Sequence, residues 1–140
     1  CIGRAGAATE HTVSGTWSLK PGRFDGGGMR YIKFKSRLNE LHRTSKIARV
    51  YFEEVRRHSA VDAAHVYGGL LSHLAAWGDE NGVPYLGIPV GQIKKFATGK
   101  GNADKVAMIA AVRGWGFEPV DDNEADAIAI FRLAATYDPS

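Results

Sequence analysis

The sequence contains a single cysteine, Cys1, and this scarcity excludes two classes of protein. One cysteine can form neither an internal disulfide framework nor a cysteine-rich zinc site. No apolar run approaches the roughly 20 residues that a membrane-spanning helix needs. The first residues show no secretory signal pattern, so we expect a cytoplasmic protein without a membrane partner.

Two common catalytic motifs are also missing. Lys100 is followed by Gly101 and not by Ser or Thr, so the phosphate-binding P-loop pattern is absent. The histidines at positions 58, 65 and 73 do not stand at the HExxH spacing of zinc peptidases. We therefore expect no small-molecule cofactor.

The chain has 140 residues, of which 44% are hydrophobic and 24% charged, the balance of a folded protein. This length suits one domain, so we predict a single domain over residues 1–140. The formal net charge of +3 mildly favours polyanionic partners. Because the chain opens on Cys1-Ile2-Gly3, which resembles the middle of a strand, we expect that its first strand is truncated.

Hydrophobic spacing predicts an α/β fold with a sheet flanked by helices. Helices are expected over residues 29–45, 61–80, 90–98, 104–115 and 121–135, and strands over 48–55 and 83–89. A strand–turn–strand unit is expected over 1–19, with Val13 and Trp17 facing inward. Strands that alternate with helices predict parallel pairing, and functional groups then gather at the carboxyl ends of the strands.

Glu53 stands at such a strand end. Residues 50–52 (VYF) have the composition of a buried strand, and Glu53 and Glu54 follow directly. A carboxylate there is costly to desolvate unless a positive charge meets it. Arg56, Arg57 or a metal ion would supply that charge; the alternative is a strand that has simply reached solvent at Glu53.

The last predicted helix begins with a run of acidic residues. The helix dipole accounts for Asp121, Asp122 and Glu124 in a first turn. Asp126 lies a full turn inside among apolar residues, and Asn123 shares its face because the two are three residues apart. Oxygen ligands of this kind suit Mg²⁺ or Mn²⁺, and a metal site and an ordinary helix face are equally compatible with the pattern.

Two basic stretches are candidates for phosphate contact. Residues 94–105 contain four lysines, at positions 94, 95, 100 and 105, and no acid before Asp104. Clustered lysines at a helix start suit phosphate, although polar surface loops of this composition are common. In the helix at 29–45, the cations at 30, 33, 35 and 37 fall mostly off the apolar stripe, which favours a solvated face over phosphate binding.

Four segments together resemble the RuvC family of Holliday-junction resolvases, within the RNase H-like superfamily, and most closely its phage and prophage members. They are residues 14–30 (SGTWSLKPGRFDGGGMR), 51–55 (YFEEV), 89–105 (PVGQIKKFATGKGNADK) and 123–129 (NEADAIA). The segments occur in the family's order and the likeness covers nearly the whole chain. The resemblance implies an RNase H-like mixed sheet flanked by helices.

The resemblance also implies roles for individual residues. Glu53 and Asp126 would bind metal, and Asn123 would supply a third ligand where the family has Asp or His. Lys105 would join these three in catalysis. Lys94, Lys95, Lys100, Lys105, Arg56 and Arg57 would contact DNA. The family's first strand carries an essential Asp, and no Asp precedes Asp25 here.

The implied activity is hydrolysis of phosphodiester bonds in branched DNA with two Mg²⁺ ions, or Mn²⁺, by a homodimer. Two alternatives stay open. One is a module that binds branched DNA without cutting it, which the missing Asp and Asn123 favour. The other is an RNase H-like nuclease that acts on RNA/DNA hybrids.

Overall fold

The computed structural model describes residues 1–3 and 12–137, and the chain there forms an α/β structure. Its elements are α1 (Met29–Ser45), β1 (Val50–Glu54), α2 (Val61–Asn81), β2 (Tyr85–Pro89), α3 (Val90–Thr98), α4 (Lys105–Gly114) and α5 (Asp122–Tyr137). Within the described part, β1 and β2 pair in parallel as one two-stranded sheet. The predicted α/β class, with parallel pairing and helices, is therefore confirmed.

The helix limits follow local signals in the sequence. α1 and α3 span the predicted residues. α4 begins after Asp104, whose side chain accepts a hydrogen bond from the Ala107 N–H at 2.8 Å, as an N-cap residue should. α2 ends at Gly82, whose φ of 66° is readily adopted only by glycine. None of the helices in the described ranges is long and apolar enough to span a bilayer.

The N-terminal prediction is only partly met. Ile2 and Val13 form an isolated antiparallel bridge, but residues 12–19 form no strand. Val13 is 69% exposed and Trp17 37% exposed, so the prediction that both face inward is wrong. Within residues 1–3 and 12–19, the Ile2–Val13 bridge is not extended into a longer strand pairing. Residues 4–11 of the predicted strand–turn–strand unit lie outside the described residues.

The chain divides into two compact units, which we describe separately. The first comprises Cys1–Thr16, Tyr51–Val55 and Gly87–Ser140, and the second Trp17–Val50 and Arg56–Leu86. The single domain over residues 1–140 stays a prediction. In the first unit, α3, α4 and α5 pack around a hydrophobic core. The fully buried members of this core include Ile88, Met108, Val112 and Ile128.

In the second unit, α1 packs against α2 around Leu38, Leu74 and Trp77. The Trp77 indole N–H donates to the Asn39 side-chain oxygen at 2.8 Å. This hydrogen bond gives the N–H of a buried tryptophan a partner. The Tyr31 side chain of α1 packs directly on Gly69 of α2, so a larger residue at position 69 would displace the Tyr31 ring.

Candidate functional site

The first turn of α5 is held by two side chains from the segment before α1. The Thr16 hydroxyl donates to the Asp121 carboxylate at 3.0 Å. Asp121 also accepts the Glu124 backbone N–H at 2.8 Å and thereby caps the helix. Asp121 thus does more than complement the helix dipole, because it joins α5 to residue 16.

Glu124 is the buried partner in this arrangement, with only 6% of its surface exposed. One carboxylate oxygen accepts from the Ser14 hydroxyl at 3.0 Å, and the other from the Val120 N–H at 3.1 Å. The sequence pattern predicts for Glu124 only a favourable interaction with the helix dipole in the first turn of α5. The available signal was its position three residues after Asp121, the spacing of a capping box. We call Ser14, Thr16, Asp121 and Glu124 the α5 clasp.

Glu53 of β1 and Asp126 of α5 lie close enough to interact electrostatically. The pKa of Asp126 is raised to about 6, mainly by burial and further by the negative charges of Glu53 and Asp122. Burial likewise raises the pKa of Glu53, which Lys94 lowers and Asp122 raises. The structure therefore brings together two carboxyl groups that are far apart in sequence, and both resist ionisation.

Asp122 was missed as a member of this group. It precedes Asp126 by four residues, so both lie on one face of α5. Asn123, the predicted third ligand, is exposed, and its role stays a prediction. The i, i+4 spacing of the two aspartates is visible in the sequence, but an acidic first turn is equally well explained by the helix dipole.

Two lysines supply positive charge beside these carboxylates. Lys94, on α3, is partly buried and lowers the pKa of both Glu53 and Asp126. Lys105, at the start of α4, lowers the pKa of Asp126, and its ammonium lies 3.6 Å from the Asp122 carboxylate. Because the Lys105 side chain is 81% exposed, this ion pair adds little stability. We call Glu53, Asp122, Asp126, Lys94 and Lys105 the acidic–lysine cluster.

The remaining predicted DNA contacts lie outside this cluster. Lys95 and Lys100 are exposed residues of the first unit, and neither is among the groups that shift the pKa of Glu53 or Asp126. Arg56 and Arg57 are exposed in the second unit, directly after β1. All four roles stay predictions.

The cluster can be compared with the needs of a divalent cation. Among the described residues, no three or more His, Cys, Asp or Glu side chains form a group that could hold a metal ion. Mg²⁺, however, is commonly bound by one or two carboxylates, with water and substrate phosphates completing its shell. Glu53 and Asp126 fit that pattern, because a cation would relieve the repulsion that raises the pKa of Asp126.

Comparison with solved structures gives a specific match. RuvC of Thermus thermophilus in complex with a Holliday junction substrate superposes with a TM-score of 0.74 at 26% identity, covering 86% of this chain and 75% of that chain. A second Thermus thermophilus RuvC structure gives a TM-score of 0.65 at 27% identity, covering 84% and 74%. The chain is similar to RuvC in fold and, at 26–27% identity, in sequence.

The RuvC likeness confirms the predicted RNase H-like class. The truncation of the first strand stays a prediction. No family model matches this sequence, and no curated protein does. The likeness therefore emerges from the three-dimensional structure together with the four sequence segments. Membership in the phage and prophage group stays a prediction.

Proposed function

We propose that this chain is an endonuclease that cuts branched DNA of the Holliday-junction type. One observation carries the proposal: a strand carboxylate, Glu53, and a helix carboxylate, Asp126, interact beside Lys94 and Lys105 in a RuvC-like fold. Paired carboxylates next to cations suit phosphodiester chemistry, because the former bind metal and the latter bind phosphate. The Thermus thermophilus neighbour bound to a Holliday junction supports the choice of substrate.

Each residue has a defined task in this proposal. Glu53 and Asp126 hold Mg²⁺ or Mn²⁺, and the exposed amide of Asn123 provides a further oxygen. The metal, when bound, supplies Lewis acidity and lowers the pKa of water. Lys105 places a positive charge near the Asp126 side of the site, where it favours the additional negative charge of a phosphate in the transition state.

DNA binding is assigned to cations in both units. Lys94, Lys95 and Lys100 belong to the first unit, and Arg56 and Arg57 to the second. Such contacts select DNA by the position of its phosphates, without reading base edges. A homodimer would give one active site for each strand to be cut. The homodimer and the cytoplasmic location both remain proposals.

The test is cleavage of a labelled four-way junction in Mg²⁺. We expect Glu53→Gln to abolish cutting and to leave junction binding within about twofold, because Gln keeps the shape and loses the charge. Glu118→Gln, at an exposed position of the same unit, is the matched control and should cut normally. Loss of junction binding in Glu53→Gln would contradict the metal-ligand role.

A second candidate is a module that binds branched DNA without cutting it. The lack of a three-residue metal group among the described residues favours this candidate. Cleavage of a labelled four-way junction by this 140-residue chain, compared with a version extended at its N-terminus, distinguishes the endonuclease from the binding module. A preference for RNA/DNA hybrids over junctions in competition would instead support the third activity considered above.

A further inference from the structure

The second unit contains a groove that the proposed active site does not use. It is open to solvent, has a volume of about 800 Å³, and is bounded by the segment before α1, the first turn of α1 and the first half of α2. Its walls carry Trp17, Lys20, Arg30, His58, Asp62 and Tyr67, with aliphatic side chains between them. Every lining residue belongs to this one unit.

Aromatic rings form part of the groove wall. Trp17 is 37% exposed, and the guanidinium of Arg37 lies 5.7 Å from the centre of its ring. The rings of His58 and Tyr67 are 5.0 Å apart and tilted by 52°. Flat rings in an open groove are the surfaces on which unpaired nucleobases stack, and stacking tolerates any base sequence.

The charges around the groove are mostly positive. Lys20 and Arg30 line it, against one acidic lining residue, Asp62. Between positions 17 and 39 the chain has six cations, at 20, 23, 30, 33, 35 and 37, and one acid, Asp25. The Asp25 carboxylate accepts the Gly22 N–H at 2.8 Å. This excess of cations favours a polyanion over a neutral or basic protein partner.

The loop that carries Lys20 is tied to α1. The Lys33 ammonium donates to the backbone carbonyl of Lys20 at 3.0 Å. This hydrogen bond fixes the backbone of Lys20 near the start of the helix that carries Arg30. Lys20, Arg30 and the Trp17 ring therefore line the same groove, and all three belong to the second unit of this chain.

We propose that this groove binds unpaired DNA, with bases stacked on Trp17 or Tyr67 and phosphates held by Lys20 and Arg30. The proposal rests on the proposed function in one respect: a DNA-cutting protein meets unpaired nucleotides where strands exchange. It assigns Arg30 of α1 to phosphate binding, where the sequence pattern alone favoured a solvated position. It concerns neither the acidic–lysine cluster nor cleavage.

The test is binding of a fluorescein-labelled 12-nucleotide oligodeoxythymidylate, followed by anisotropy in EDTA. We expect Trp17→Leu to weaken binding at least about fivefold, because stacking on one ring contributes that much or more. Arg30→Gln should lower the salt-dependence slope by about 0.7. Arg43→Gln, an exposed position in the last turn of the same helix, is the control and should change neither quantity. Circular dichroism and melting confirm that each variant is folded.

Three results are decisive. Weaker binding in Trp17→Leu and a reduced slope in Arg30→Gln, with Arg43→Gln unchanged, would support the groove. Parent-like binding in both groove variants would overturn it. A parent dimer that Trp17→Leu converts to a monomer would also overturn it, since a second copy would then occupy the groove. Because the oligonucleotide is unbranched and metal is absent, a failure of junction cleavage leaves this result unaffected.

Discussion

Asp126 combines partial burial with nearby negative charge, and this has a measurable consequence for stability. Its pKa of about 6 in the folded protein exceeds the 3.8 of an isolated side chain. The folded state therefore binds the Asp126 proton more tightly than the unfolded state does. The associated stability is fully present below pH 3.8 and is lost as the pH rises through about 6.

We expect Asp126→Asn to be more stable than the parent at pH 8 in EDTA, by about 1 kcal/mol after allowance for solvent screening. Asparagine cannot ionise, so the advantage should shrink towards pH 4. Urea unfolding at both pH values measures the difference, with Glu118→Gln as the control. An advantage of equal size at both pH values would show that the charge of Asp126 is not its cause. Mg²⁺ should stabilise the parent more than the variant, because only the parent keeps both carboxylates.

The charge of Glu53 is partly compensated by a nearby cation. Burial and Asp122 raise its pKa, whereas the ammonium of Lys94 lowers it. The sequence alone indicates Arg56, Arg57 or a metal ion as the partner of the Glu53 carboxylate, or else exposure of Glu53 to solvent. Lys94, on α3 and 41 positions further along the chain, also lowers the pKa of Glu53, and short-range spacing does not indicate it.

At the scale of the element, α5 depends on its clasp. Ser14 and Thr16 reach side chains of α5 that are 110 and 105 positions away. These hydrogen bonds hold the turn that carries Asp122, and the helix then places Asp126 one turn later. The clasp thus connects the segment before α1 to the helix that carries Asp122 and Asp126.

We expect Ser14→Ala to lower the free energy of unfolding by about 1 kcal/mol and Glu124→Ala by about 2 kcal/mol, because each removes a part-buried hydrogen-bond partner. Glu124→Gln should cost less, since its amide can donate to the Ser14 hydroxyl oxygen. The double variant of Ser14→Ala and Glu124→Ala should lose less than the sum of the two. Urea unfolding measures all four, and Ser18→Ala, at an exposed position, is the control. Strict additivity would argue against the Ser14–Glu124 contact.

At the scale of the whole molecule, the net charge of +3 understates the local concentration of positive charge in residues 94–105, which contain four lysines. DNA binding by phosphate contact releases counterions, so affinity falls with salt according to the number of phosphates engaged. The proposed function therefore predicts a steep salt dependence of junction binding. Substitution of each contacting lysine should reduce the slope by a similar amount.

We expect Lys94→Gln to weaken junction binding and to reduce its salt-dependence slope by about 0.9. Arg113→Gln, which removes an exposed cation from the last turn of α4, should leave the slope unchanged. Anisotropy of a labelled junction between about 50 and 200 mM salt provides both values. An unchanged slope in Lys94→Gln would remove this residue from the phosphate contacts.

The sequence by itself determined the limits of α1 to α5 and of β1 and β2 to within two residues, because these limits follow hydrophobic spacing, the Asp104 cap and the turn at Gly82. It also singled out Glu53 and Asp126, since a carboxylate beside apolar neighbours is costly wherever the chain places it. Only the tertiary structure decided that Asp122 joins them, that Glu124 is buried and that Val13 and Trp17 are exposed. These outcomes depend on the rotation of α5 about its axis and on contacts more than 100 positions apart, which short-range spacing does not encode.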